Sequence, residues 1–176
     1  MRKAMYLMGA LEDADVEWLA AHGTAERLTA GQTLVQEGRA IDSLYVVLDG
    51  QLAVQVGSAR VATLLAGEVI GEISFVDARP PLATVASLDT SRVLAVRRDV
   101  LQQKLAADAK FAAHFYRAVA IFLADRLRTT TTRLGYGQPE QDATPDAADE
   151  LGDELMETVS LGTRRFDYLL RQVRGG

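Results

Sequence analysis

The chain has 176 residues, 24 acidic and 19 basic side chains, a net charge of −5 and no cysteine. Its length suits one domain with an appendage and a single substantial core. Disulfides, thiolate chemistry and cysteine-based metal sites are excluded, and the acidic balance argues against binding through nucleic-acid phosphates.

The acidity sits at one end: residues 1–136 carry 15 acidic and 15 basic side chains, whereas residues 137–176 carry nine and four. The chain opens basic and then apolar, but the apolar run stops at Glu12-Asp13 without a small-residue cleavage pattern, so no secretion signal is expected. The longest uncharged apolar run, Ala118 to Ala124, is far shorter than the roughly 18–20 residues that cross a bilayer. A cytoplasmic protein without a membrane partner is expected.

Leu11, Val16, Leu19 and Ala20 recur at near-helical spacing, which predicts a helix over 11–22, stopped by Gly23. Asp13 and Asp15 lie in its first turn, where carboxylates complement the helix dipole. Trp18 is available for packing, and His22 is a helix-end residue.

Beyond Leu28 the period changes to two. Short β-rich runs are punctuated by Gly31, Gly38, Asp49-Gly50, Gly57-Ser58 and Gly67. In Gln51–Val56, Leu52, Val54 and Val56 alternate with Gln51, Ala53 and Gln55, which predicts a strand with one buried face. Asp49-Gly50 is read as a hairpin turn, because both residues tolerate positive φ. Residues 83–98 are expected to supply a final strand pair. Many short strands with regular glycine turns imply a sandwich or barrel.

Helical spacing returns at Asp99. A short helix is expected first, then a long one over 108–134 that ends at Gly135 and Gly137. Its middle is apolar on two sides, with Phe111, Phe115, Val119 and Phe122 on one and Ile121, Leu123 and Leu127 partly on another. Such a helix needs two partners. One is the β-structure; the other is the same helix of a second chain, giving a homodimer, or a C-terminal segment folded back over it. Residues 137–153 read as an acidic linker. Residues 154–174 read as an amphipathic tail helix bearing Leu155, Val159, Phe166, Leu169, Leu170 and Val173, broken around Gly162. It can dock on the core, on the partner chain or on another protein.

From about Leu28 to Leu105 the chain resembles the cyclic-nucleotide-binding domain of the cAMP receptor protein family, of cAMP-dependent kinase regulatory subunits and of some gated channels. The stretches that carry the likeness are Leu28–Gly38, Asp42–Val54, Leu64–Phe75, Arg79–Val85 and Arg92–Leu101, matched in order. The resemblance implies a mainly β fold with flanking α-helices, a double-stranded β-helix or jelly roll. Residues 1–136 would form that domain, with an N-terminal helix over 11–22, a β-roll over 27–97 and helices over 99–135. It also implies a small-molecule ligand, cAMP or cGMP, and calls for no cofactor.

In ligand-binding members of that family a Gly-Glu pair opens a short helix. The glutamate accepts from the ribose 2′-hydroxyl, and backbone amides at the helix start face the cyclic phosphate. Here Gly71, Glu72, Ile73 and Ser74 match. The family then places an arginine before a small-small-Thr run, and aligning Ala83 and Thr84 puts Pro81 at that position. A lost charge-assisted hydrogen bond weakens binding by roughly tenfold to several hundredfold. Arg79, two residues earlier, is the candidate replacement; its plainer reading is a solvated loop charge. Glu72 likewise has two plainer roles, capping a helix or pairing with Arg79.

Thr129 to Thr132 stand where bacterial members present hydroxyls to a purine, or form a solvent-facing helix end. His114 is expected on a helix face at the β-roll or dimer seam. No nucleophile–base pair, carboxylate dyad or metal-spaced cluster occurs, so catalysis is not expected. Residues 138–176 are too few and too acidic for a helix-turn-helix, so direct nucleic-acid binding is not expected either. Two functions follow: a stand-alone small-molecule sensor that binds a cyclic nucleotide or similar phosphate ester, or a ligand-independent interaction scaffold of the same fold.

Overall fold

Successive residues of the strand Ser43–Asp49 (β3) enter two different cores. Leu44, Val46 and Leu48 join a cluster shared with the helices, while Tyr45 and Val47 join a second cluster inside the β-roll. Ser91–Arg97 (β8) divides the same way, with Leu94 and Val96 on the helical side and Val93 and Ala95 inside. Both strands therefore read as unbroken apolar runs, as a sheet covered on both faces requires.

The computed structural model describes residues 8–133 and 160–173. Two four-stranded antiparallel sheets form a jelly roll. One has the order β1 (Thr24–Leu28), β8, β3, β6 (Val69–Ile70); the other has β2 (Thr33–Val35), β7 (Thr84–Ser87), β4 (Gln51–Val56), β5 (Ala59–Leu65). The helices are α1, described over 8–10, then α2 (Asp13–His22), α3 (Glu72–Asp77), α4 (Arg98–Ala107), α5 (Ala109–Arg133) and α6, described over 160–173. The roll thus begins at Thr24, three residues ahead of the expected start at 27.

Gly23, which follows α2, leaves no room for a side chain: a Cβ there would lie 2.6 Å from Leu94 Cδ1 and 2.9 Å from Leu19 O.

Asp49-Gly50 does not make a hairpin. β3 pairs with β8 and β6, and β4 pairs with β5 and β7, so the chain crosses between sheets at this point. Gly50 takes φ +86°, and a Cβ on it would lie 2.7 Å from Ser91 Cα. The tight β4–β5 hairpin turns instead at Gly57-Ser58, where Val56 faces Ala59. Residues 83–98 likewise yield two strands but no pair, because β7 and β8 lie in different sheets. In β4 the one-face pattern fails as well: Ala53 is buried beside Leu52 and Val54, and Val56 is exposed.

On α5, Phe111, Phe115, Ala118 and Val119 enter the helical-side core, and Tyr116 and Leu127 are exposed. His114 faces α2, its Nδ1 2.8 Å from Asp15 Oδ2. Asp15 is buried and also accepts from the backbone N–H of Glu12, so it ties two helices together as well as capping one.

α6 runs through Gly162 without a break. Gly162, Phe166 and Leu169 are buried on one face, and the latter two share the core with Phe111 and Phe115, so the tail folds back onto its own domain. Arg165 Nε donates to Asp13 Oδ1 at 2.6 Å and Nη1 to Gly9 O at 3.1 Å, while Tyr168 donates to Glu17 at 3.1 Å. The linker 137–153 and Gly135, Gly137, Leu155 and Val159 lie outside the described residues, as do the side chains of Phe122 and of Thr129 to Thr132.

Candidate functional site

The short helix α3 starts where the backbone leaves β6 and turns sharply. Gly71 caps it at φ +95°, in the left-handed region that side-chain-bearing residues avoid. A Cβ there would also press on Ile41 Cδ1 at 2.9 Å and Ser43 O at 3.2 Å. Glycine at this position lets the helix begin tight against the roll.

Phe75 donates the first intrahelical bond, to Gly71 O at 2.8 Å. The N–H groups ahead of it, on Ile73 and Ser74, lie in the first turn, where the helical ladder supplies no acceptor. Glu72 is 4 % exposed and Ser74 is buried, whereas Ile73 lies at the surface. The helix ends at Ala78, whose φ of +58° turns its N–H back to Ser74 O at 3.1 Å.

The turn after α3 is stitched to two other loops. Gly38 N–H donates to Pro81 O at 2.9 Å, and Glu37 N–H donates to Thr84 Oγ1 at 3.1 Å. The Glu37 carboxylate in turn accepts from Gly57 N–H at the β4–β5 hairpin tip, 3.2 Å away. Glu37 thereby joins three loops at one end of the roll, a role with no periodic signature in the sequence.

Ile70, just before Gly71, and Ala83, just before Thr84, border the same apolar cluster inside the roll. The matched elements Gly71–Ser74 and Ala83-Thr84 thus flank a common interior. Tyr45 lies in that interior, and burial, then the charge of Asp42, push its phenol up. Arg79 is placed differently. Its side chain is 83 % exposed and stands 4.0 Å from Asp77, whose carboxylate also accepts from the Arg79 N–H. Pro81 supplies neither a charge nor an N–H, and Leu82 beside it is 81 % exposed.

Arg98, at the first position of α4, is the residue sequence reasoning missed. Its guanidinium donates to Ser74 O at 2.9 Å and Phe75 O at 3.1 Å, and lies 5.2 Å from the Phe75 ring centroid. A cation at a helix C-terminus complements the negative end of the helix dipole, and here it adds a second donor to Ser74 O, which also accepts from Ala78 N–H. Nothing in the sequence separates Arg98 from its neighbour Arg97, which lies at the surface and pairs with Asp99.

A groove of about 290 Å³ lies between α2 and α6, lined by Asp13, Val16, Glu17, Leu161, Arg164, Arg165 and Tyr168. Arg165 with Asp13 and Tyr168 with Glu17 occupy one another's hydrogen-bonding groups, which marks it as a docking seam. Among the described residues no group of three or more histidine, aspartate or glutamate side chains is placed to hold a metal, and no helix is long and apolar enough to cross a membrane.

The family model of the cyclic nucleotide-binding domain matches residues 25–108. The crystal structure of the N-terminal domain of a transcriptional regulator from Streptomyces coelicolor A3(2) is 30% identical. That likeness covers 79% of this chain and 93% of that one, with a TM-score of 0.59. A cyclic nucleotide-binding domain from Methylobacillus flagellatus KT superposes with a TM-score of 0.68, covering 79% of this chain and 85% of that one; at 22% identity it speaks for the fold. Over 76 residues, 43% of the chain, the sequence is 34% identical to the cGMP-dependent protein kinase egl-4 of Caenorhabditis briggsae. A cGMP-dependent protein kinase of Toxoplasma gondii is 29% identical over 80 residues, 46% of this chain. The chain spans only 10% and 8% of those two kinases.

Proposed function

Because this chain belongs to the cyclic nucleotide-binding domain family, we propose that it is a regulatory module that binds a cyclic nucleotide or similar phosphate ester and signals through its C-terminal helices. The observation that carries this reading is Glu72: a carboxylate 4 % exposed at the first position of α3, directly after the left-handed cap Gly71. Amides at a helix start suit an anion, and a buried carboxylate suits the hydroxyls of a sugar. In this proposal Glu72 accepts from the ribose, the N–H groups of Ile73 and Ser74 face the phosphate, and Ala83 and Thr84 close the opposite side. Arg79 supplies the counter-charge by leaving Asp77. An exposed pair at 4.0 Å holds little energy against such a move.

The exposed Tyr116 and Leu127 on α5 support a homodimer along that helix. Light scattering should then return twice the 19.1 kDa chain mass, and a monomer at high concentration would refute it.

A second reading, a ligand-independent scaffold, is favoured by Pro81 and by the Thr84 hydroxyl already accepting from Glu37 N–H. Calorimetry with cAMP, cGMP and cyclic dinucleotides separates the two. The sensor reading predicts heat that weakens about tenfold or more in Glu72→Gln and in Arg79→Ala. No heat up to millimolar ligand supports the scaffold.

A further inference from the structure

We propose that Arg98 is a positioning residue that carries a displacement of α3 into α4 and α5; the inference rests on the sensor reading of α3. Arg98 is held from two sides. Its backbone N–H donates to Asp42 O at 2.7 Å, which fixes the start of α4 on the roll. Its side chain reaches back over 23 and 24 residues to grip the last carbonyls of α3. Two parallel donors of one planar group define a direction as well as a distance, which an ammonium cannot do.

The far end of α4 holds the next connection. Lys104 pairs with Asp108 at 2.8 Å, and Asp108 accepts from Phe111 N–H at 3.0 Å, capping the start of α5. The Lys104 ammonium also lies 5.8 Å from the Trp18 ring and 5.3 Å from the Phe111 ring. A shift of α3 therefore has a hydrogen-bonded route through one rigid helix to α5, and the Lys104 ammonium carries it by ring contact to Trp18. Arg97 has no part in it, since its guanidinium is taken by Asp99 at the surface.

Trp18 is the only tryptophan in the chain. It stacks on His22 at 4.4 Å and meets Phe111 at 5.3 Å, so its emission reports the junction of α2, α4 and α5. The test compares wild type, Arg98→Ala, Arg98→Lys and the control Arg97→Ala. Amide exchange at Phe75 and Ala78 is read without ligand; heat and Trp18 emission are read during titration with cGMP and with cAMP.

In Arg98→Ala, exchange at the two α3 amides should be about 10- to 100-fold faster. Nucleotide heat should remain measurable, at an affinity weakened by the looser α3, while the Trp18 response that accompanies it is lost. Arg98→Lys should recover part of both, and Arg97→Ala should match wild type. Unchanged α3 protection, a full Trp18 response in Arg98→Ala, no rescue by lysine, or a Trp18 silent on binding in wild type overturns the proposal. Absence of nucleotide heat in wild type sinks the sensor reading instead, and the exchange arm alone then decides whether Arg98 positions α3. Should Arg98→Ala fail to fold, Arg98→Gln takes its place.

Discussion

The ring of Phe75 on α3 meets the ring of Phe115 on α5 edge to face, 5.5 Å between centroids. Phe115 in turn stacks with Phe111 at 6.2 Å and is 1 % exposed. Truncating a buried aromatic removes its packing and leaves a void. Phe115→Ala should cost about 3–5 kcal/mol in urea unfolding, whereas Arg117→Ala, at an exposed position of the same helix, should cost below about 1 kcal/mol. Equal losses at the two positions would place both faces of α5 in cores.

Gly50 is the crossing between the sheets. Its φ of +86° and the approach of Ser91 Cα, 2.7 Å from a built Cβ, exclude a side chain on two independent grounds. Strain at such a backbone angle and overpacking each cost about 1–3 kcal/mol. Gly50→Ala should therefore lower stability by about 2–6 kcal/mol. Gly31→Ala is the comparison, having a positive φ but nothing within 4 Å of its Cβ, so strain alone applies. A similar loss in both variants would mean that the contact with Ser91 is relieved by movement.

The tail helix is anchored by Leu169, fully buried in the core cluster to which α1, α2 and α5 also contribute. Leu169→Ala should cost about 2–5 kcal/mol, while Arg171→Ala on its exposed side should be near neutral. Because the helix docks on its own chain, the contribution of Leu169 should not depend on protein concentration. A loss that grows on dilution would show a tail supplied by another molecule.

Acid should reveal the α4–α5 junction. The Lys104 ammonium, and then the Phe111 N–H, hold the Asp108 carboxyl below its ordinary range. A depressed folded-state pKa stabilises above the unfolded value, and that stability is lost as pH falls through the folded one. From about pH 4 downward, Asp108→Asn should lose less stability than wild type, because it no longer has a favourable ionisation to forfeit. Between pH 6 and 7 the two slopes against pH should run parallel. A steeper acid slope in the variant would show that the carboxylate is not stabilised in the folded protein. The site lies at the surface, so salt should weaken the effect.

The start of α3 was legible through the family resemblance, which puts a Gly-Glu pair at the opening of a short helix, and the structure begins α3 at that step with Glu72 inward. Arg79 and Pro81 were legible as a departure, and the structure adds that Arg79 faces Asp77. Arg98 and Glu37 were not legible. Each acts on a backbone group distant in sequence, 24 residues away for Ser74 O and 20 for Gly57 N–H. No spacing rule marks such a pair.

The amino-acid pattern by itself determined the extended runs of the roll, the helices α2, α4 and α5 and the glycine turns, since those choices depend on φ, on side-chain period and on hydrogen bonds a few residues apart. It did not determine which strand lies beside which. A buried strand alternates in the same way whatever its neighbour, so Asp49-Gly50 read as a hairpin although β3 and β4 belong to different sheets. Only the assembled tertiary structure decided that crossing, the burial of both faces of β3, the docking of α6 and the choice of Arg98 over Arg97. Each of these is a contact between segments far apart in the chain, where the free energy of packing depends on partners that local composition does not name.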